Sequence, residues 1–513
     1  MRECAHARYV IETLLSDDTM LVCLLALTVA LPPGPQPRAL VDSAIVAMQH
    51  TTTLRAARSL RLAGIQHEFM LGNAERSEGP WRVFYSQFSE LRDLAAPALR
   101  RTDQVLSAGG TKGPDRTTIL ADSVVAVSSA GRQTGSSHGA YEDLIDRVDG
   151  SPERALLLAS ASPGLAYEKT ATHYGVTYDV VSFPWRNGRM RLELDRNTHL
   201  PAAIDIVRPY PDNFRWAPFG DVTIRTVFVD WTVTPSGVYW PMQHKVTLNG
   251  DPLRDITFAS AVLDPSPASA DSFVVSDSAR VQYTAASKLN FSKFTFGVRG
   301  PPTELAPGIV RVADQWMQTL VKQPDGVVIF EAHISAQYLH EVIDEAHRRW
   351  PGSPIKALVM TSDPWAHLGG VREAMALGLP IYINAGSVPF LTALATSPHT
   401  MAPDSLARTR RLPKLVPVSA KTVIGGAENR VELYPVGGPY AERMLMAYFP
   451  ERKLLYGADL VFFNRDATGK PTAGFIETEA TDLRRAVVRE HLRVDTVFCV
   501  QNYAPIAWSA FAK

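Results

Sequence analysis

The stretch with the most chemistry in it is Thr361-Ser-Asp-Pro-Trp-Ala-His-Leu-Gly-Gly370. It sets a carboxylate, Asp363, and an imidazole, His367, in one loop beside two hydroxyls and the indole of Trp365. An imidazole can carry a proton or bind a metal ion, and a carboxylate beside it can orient and charge it. A hard, oxygen-preferring ion could use Asp363. A second candidate, Gly135-Ser-Ser-His-Gly139, matches the pattern that exposes a nucleophilic serine, here Ser137. That chemistry needs a sharp turn directly off a strand. The Gly- and Ser-rich surroundings read instead as a loop.

The segments around the central loop must position it. Ile355 to Met360 is an apolar strand that runs into the loop, and the Gly-Gly pair opens a helix ending near Gly378. Upstream, Val327 to Phe330 is a short buried-type strand. Ser335 is an N-cap for a helix to Arg349 that carries Leu339, Val342, Ile343 and Ala346 on one face. With Ile381-Tyr-Ile383 this gives a β-α-β-α-β order and an α/β sandwich. Between Leu40 and Ala285 the pattern differs. After a helix-like Val41 to Ala57 come alternating strands, among them Thr177 to Phe183, Val222 to Val233, Val238 to Leu248 and Asp255 to Val262. Alternation marks a sheet with one wet face, and Asn249-Gly250 is a hairpin turn. An antiparallel sheet curved around a helix is expected there. Asp264 to Ser287, rich in Pro, Ala and Ser, reads as a linker.

A chain of 513 residues is too long for one compact core, so more than one domain is expected. The formal net charge of +0 gives no reason to expect a nucleic acid or an anionic membrane as partner, and a small-molecule ligand is compatible with it. The basic run Leu406 to Lys414 reads as a solvated loop. Cys4, Cys23 and Cys499 have no paired spacing, which argues against a disulfide framework and a cysteine zinc site. The apolar run Leu21 to Leu31 is too short to span a bilayer and has the length of a signal-peptide core. Residues 1–39 are therefore read as a leader that exports the chain to the periplasm. The alternative is an extension on a cytoplasmic protein, because Asp17 and Asp18 stand where a signal peptide carries positive charge.

The central loop resembles the metal-binding signature of the metallo-β-lactamase superfamily, Thr-His-x-His-x-Asp-His-x-Gly-Gly, with Thr361, His367, Gly369 and Gly370 in place. Three further blocks keep the family's order. Phe330-Glu-Ala332 is similar to its acidic strand end, Met444 to Leu460 to its later hairpin with the metal-bridging aspartate at Asp459, and Val494 to Val500 to its last strand. Gly220-Asp-Val222 and Gly237-Val-Tyr-Trp-Pro241 resemble a domain attached to some bacterial members, itself similar to lipoprotein-carrier half-barrels. The resemblance implies an α+β protein of two domains. A mostly antiparallel, half-barrel-like β domain would span 40–285, and an αββα metallo-β-lactamase fold 286–513.

Members of that family bind one or two zinc ions that make hydroxide from bound water. By the resemblance, Ser362, Pro364 and Ala366 stand where two histidines and an aspartate belong, and Tyr440 and Gln501 replace two more histidines. Only His367 and Asp459 remain, and a catalytic zinc needs three protein ligands. Asp363, or His333 beside Glu331, could rebuild the set. The resemblance thus implies a degenerate zinc site and a pseudoenzyme that binds or scaffolds. Trp365, Tyr440, Gln501 and Tyr503 would make its cleft aromatic. The alternative is a hydrolase of an ester, amide or phosphate. It would use His367 and Asp459 on a remodelled zinc site or as a metal-free acid-base pair.

Overall fold

A computed structural model describes residues 36–50, 54–72, 76–106, 113, 115–129, 131–211, 213–264, 266–287, 301–312, 316–426, 428–465, 470–501 and 503–513. The apolar run Leu21 to Leu31, Cys4, Cys23 and residues 288–300, near the expected start of the second domain, lie outside these residues. Pro37–Lys513 forms one compact unit.

A large antiparallel sheet dominates the first half. Its 13 strands run from Arg132–Gly135 at one edge to Ala166–His173 at the other. Ser59–Phe69 pairs on one side with Val83–Asp93 and on the other with Asp251–Asp264, so the first and last strands of this region meet inside the sheet. Asn249 and Gly250 both hold positive φ (52° and 99°), the conformation that a two-residue hairpin turn requires. Helices α1 (Pro37–Met48), α2 (His138–Asp149) and α3 (Pro152–Ala161) bury Val41, Ile45, Leu144, Val148 and Leu156 in one core with sheet residues such as Leu192, Ile204 and Trp240. Ser137 is the N-cap of α2, its hydroxyl accepting from the Ala140 amide at 3.3 Å, so the Gly135 to Gly139 motif ends a strand and starts a helix.

The stretch expected to be a linker is folded. Asp264 completes a strand, and Asp277–Ser287 forms α4. Phe273, Val275 and Ala279 pack into a cluster with Ile119, Ala121 and Ala126. Its prolines and serines masked an apolar spacing that seats the segment on the sheet. The first helix is also shorter than expected, ending at Met48.

In the second half, a seven-stranded sheet runs from Thr303–Ala306 to Lys414–Val418. Gly326–Phe330, Ile355–Val359, Pro380–Asn384 and Lys414–Val418 are mutually parallel, each joined to the next by a helical connection. Helix α5 (Ala336–Arg349) starts at Ser335, whose hydroxyl accepts from the Tyr338 amide at 3.1 Å. Helix α6 (Val371–Leu377) ends at Gly378 in the left-handed conformation. A six-stranded sheet runs from Thr422–Ile424 to Ile506–Ala507. Val328, Phe330 and Val359 share one core with Leu433, Phe449, Tyr456 and Phe498, so the two sheets pack together. Helix α7 (Glu477–Arg489) buries Ala480, Leu483 and Val487 with Met446 and Leu455 of the second sheet. Among the described residues no helix is long and apolar enough to cross a membrane.

Candidate functional site

Parallel pairing decides which residues meet. Val327 to Phe330 lies in register with Ile355 to Val359, so the segments leaving both strands emerge at one sheet edge. One segment carries Glu331 and His333, the other Thr361, Ser362 and His367. Glu331 and Ile334 both adopt left-handed backbone (φ 71° and 66°), which bends the chain sharply at the strand end. The turn Trp365–His367 is pinned to this bend, with the Ile334 amide donating to Ala366 O at 3.3 Å and the Gly370 amide to Ala332 O at 2.8 Å. Gly369 lies so close that a β-carbon there would sit 2.0 Å from the Ile334 carbonyl carbon. The second sheet supplies Asp459 and Gln501 from the ends of another parallel pair, Leu454–Tyr456 and Thr496–Phe498.

The side chains form one buried network. His367 Nε2 lies 3.3 Å from Asp459 Oδ2. Gln501 Nε2 donates to Asp459 Oδ1 at 2.8 Å. On its other side, His367 Nδ1 faces His333 Nε2 at 3.0 Å, Ser362 Oγ at 3.1 Å and Glu331 Oε2 at 3.7 Å. Glu331 Oε1 accepts from the Thr361 amide (3.2 Å), the Thr361 hydroxyl and the Tyr456 hydroxyl (3.4 Å). Burial opposes charge on His367, yet Asp459 and Glu331 outweigh it and raise its pKa to about 10. Burial, and then the charge on His367, holds His333 well below the ordinary histidine range. These surroundings favour the protonated form of His367 beside a neutral His333. In that form Nε2 donates to Asp459 and Nδ1 donates into the group formed by His333, Ser362 and Glu331.

Not every residue named from sequence joins this network. Asp363 turns away, with Arg443 Nη1 3.5 Å from its carboxylate, and burial raises its pKa. Its expected role as a metal ligand is not supported by this geometry, because its side chain serves the ion pair that Arg443 also makes with Glu78. Trp365 is packed, not facing a cleft. Its ring lies 4.5 Å from Phe219, and its amide donates to Gly72 O at 2.9 Å. Ser77 Oγ donates to Asp363 O at 2.5 Å. Gly72 and Ser77, which lie between two strands of the large sheet, thus sit against the central loop. Tyr440 places its ring 6.0 Å from the Arg82 guanidinium and its amide on Asp482. Tyr503 packs edge-on to Phe463 at 4.9 Å. These two rings support flanking segments. His340, on α5, pairs with Glu373 at 3.1 Å, outside the network.

The metal question turns on donor atoms. The positions of the family ligands at Ser362, Pro364, Ala366, Tyr440 and Gln501 offer no imidazole or carboxylate. Glu331, His333 and His367 each bring a ligand atom within 4.8 Å of the others. Glu331 Oε2 and His333 Nδ1 are buried without a hydrogen-bond partner. Glu-x-His at a strand end was the sequence signal for this trio. Tyr456, Arg443 and Gly72, which hold the surroundings, had none.

No protein-family model and no curated protein matches this sequence. Solved structures do match it. A metallo-beta-lactamase from Pontibacter korlensis aligns over 95% of its length with 41% of this chain, at 15% identity and a TM-score of 0.32. One from Erythrobacter litoralis aligns over 95% of its length with 42% of this chain, at 14% identity and a TM-score of 0.31. The sec-alkylsulfatase Pisa1 from Pseudomonas sp. aligns with 41% of this chain at 16% identity and a TM-score of 0.30, and this chain spans only 40% of its length. Over some two fifths of its length, this chain is similar to proteins of the metallo-β-lactamase fold.

Proposed function

We propose that this chain is a non-catalytic binding or scaffolding protein, in which an αββα metallo-β-lactamase-like region (286–513) carries a proton-held cluster in place of a metal centre. The observation that carries the reading is the occupation of both His367 nitrogens inside a closed site. One nitrogen faces Asp459 and the other His333, and Glu331, His333 and His367 are all buried. A hydrolytic zinc needs an open coordination position for water. Here the turn carrying Gly72 and Ser77 stands against the loop that would border it. The β-rich region 40–285 acts in this reading as a second, ligand-holding domain.

One observation favours a second reading, a remodelled metal site. Glu331, His333 and His367 have the donor types that zinc accepts, and Asp459 would then orient His367 from behind. A bound zinc supplies Lewis acidity and a water of lowered pKa. Elemental mass spectrometry of protein dialysed against zinc separates the two. The expected result is no stoichiometric metal and no turnover in an ester, amide and phosphate screen. Near-stoichiometric zinc that disappears in both His333→Ala and His367→Ala, with hydrolysis lost alongside, would overturn the proposal.

A further inference from the structure

Away from the central loop, the large sheet holds a second cluster of chemistry. Arg92, His244 and Arg254 stand on three of its strands and are buried, with relative exposures of 4%, 7% and 5%. Helix α2 lies over them and contributes Arg147. These four residues line a cavity of about 40 Å³, walled by Ile224, Val246, Ile256 and Phe258. By the same measure one water needs roughly 10–15 Å³, so the space fits a small group of several heavy atoms. A neighbouring cavity of about 150 Å³ shares Arg101 and Arg147 and adds Arg116.

Most acids in this region are already engaged, the exception being Glu153, whose Oε1 lies 3.9 Å from Arg92 Nη1 and whose Oε2 is buried without a partner. Glu90 accepts from Arg92 Nε at 2.5 Å and from Arg101 Nη1 at 3.0 Å. Asp146 accepts from Arg208 at 2.9 and 3.0 Å and from the Tyr210 hydroxyl at 2.5 Å. Asp143 pairs with Arg254 Nη2. Arg147 has no closer carboxylate oxygen than that same Asp143, at 3.9 Å. Three guanidinium nitrogens remain buried without an acceptor, Arg92 Nη1, Arg147 Nε and Arg254 Nε, together with His244 Nε2. Buried donors left unpaired carry the full penalty of their lost hydration. Here they line one cavity, beside the carboxylates of Glu90 and Asp146. Burial, and then the charges of Arg254 and Arg101, lower the Arg147 pKa to about 10, against the opposing pull of Asp143 and Glu90.

We propose that this cavity binds a small oxyanion, a phosphate or carboxylate group, held by Arg147 together with Arg92 and Arg254. Guanidinium groups suit such a ligand because their planar N–H forks match its oxygens. The mixed polar lining of the adjoining cavity fits a compact polar molecule bearing that group. This inference is independent of the central loop.

Isothermal titration of the full chain with inorganic phosphate and, separately, with acetate at matched ionic strength tests it. At least one of the two anions is expected to bind. Its affinity is expected to fall on the order of tenfold in Arg147→Met, the size of one charge-assisted hydrogen bond. Arg147→Lys, which keeps the charge but not the fork, is expected to fall between. Circular dichroism confirms that both variants fold, and if Arg147→Met does not fold, the comparison with Arg147→Lys decides. Binding of phosphate alone assigns the site to phosphoryl groups, and binding of acetate to carboxylates. No binding of either anion, or affinity unchanged in the substituted proteins, overturns the proposal.

Discussion

Replacing Gly369 with alanine is expected to destabilise the protein by about 3 kcal/mol or more, at the upper end of what overpacking costs. The added methyl would meet the Ile334 carbonyl carbon at 2.0 Å, its oxygen at 2.1 Å and the Ser335 nitrogen at 2.5 Å. All three are backbone atoms, and they belong to the bend that presents Glu331 and His333 and starts α5. Relief requires the central loop to lift from the bend, which would pull His367 off His333. Gly426 is the matched control, since nothing lies within 4 Å of a β-carbon built there. Guanidinium denaturation reads both variants. A loss below about 0.5 kcal/mol in Gly369→Ala, the range of ordinary surface changes, would show that the loop does not rest on this contact.

The second large effect is the pH dependence of stability. His367 has its pKa raised from the ordinary 6.5 to about 10. As pH rises, the unfolded chain releases that proton first. The stabilisation is therefore whole below pH 6.5 and is lost as pH climbs toward 10. It is on the order of a few kcal/mol, reduced because the Asp459 side chain is 18% exposed. His367→Gln should remove this slope, so the difference between parent and variant isolates it from other titrating groups. A metal-held cluster behaves with the opposite sign, because protons compete with the ion and stability falls with acid. Parent protein that gains stability relative to His367→Gln between pH 6.5 and 10 would contradict the proton-held cluster.

Much of the second region was legible because its signals are local. Ser335 caps a helix and Gly378 ends one by rules that act within a few residues. The β-α-β order around the central loop, and the expectation that His333 shares an edge with His367, follow from strands that are short and parallel. The direction of Asp363 was not legible. Its partner Arg443 is brought to it by tertiary packing, and the sequence around Asp363 does not distinguish inward from outward. The same limit hid the arginines of the large sheet. Alternation of polar and apolar residues reads as one wet face, but Glu90 and Arg92 alternate in the same way while lying almost fully buried beneath α2. The apparent linker failed for the reverse reason, since its composition spoke for a loop while Ala279 and Phe273 supplied anchors.

The seating of Gly72 and Ser77 against Trp365 and Asp363 also couples the central loop to the large sheet. Separating Gly72 and Ser77 from the loop breaks both of their bonds together with the Glu78–Arg443 ion pair. A molecule that needs those bonds broken would bind only the fraction of the protein in which they are open. Its measured affinity would be its intrinsic affinity multiplied by the open fraction. Substitutions in the large sheet that loosen those bonds would then tighten binding at the loop without touching a single residue of the site.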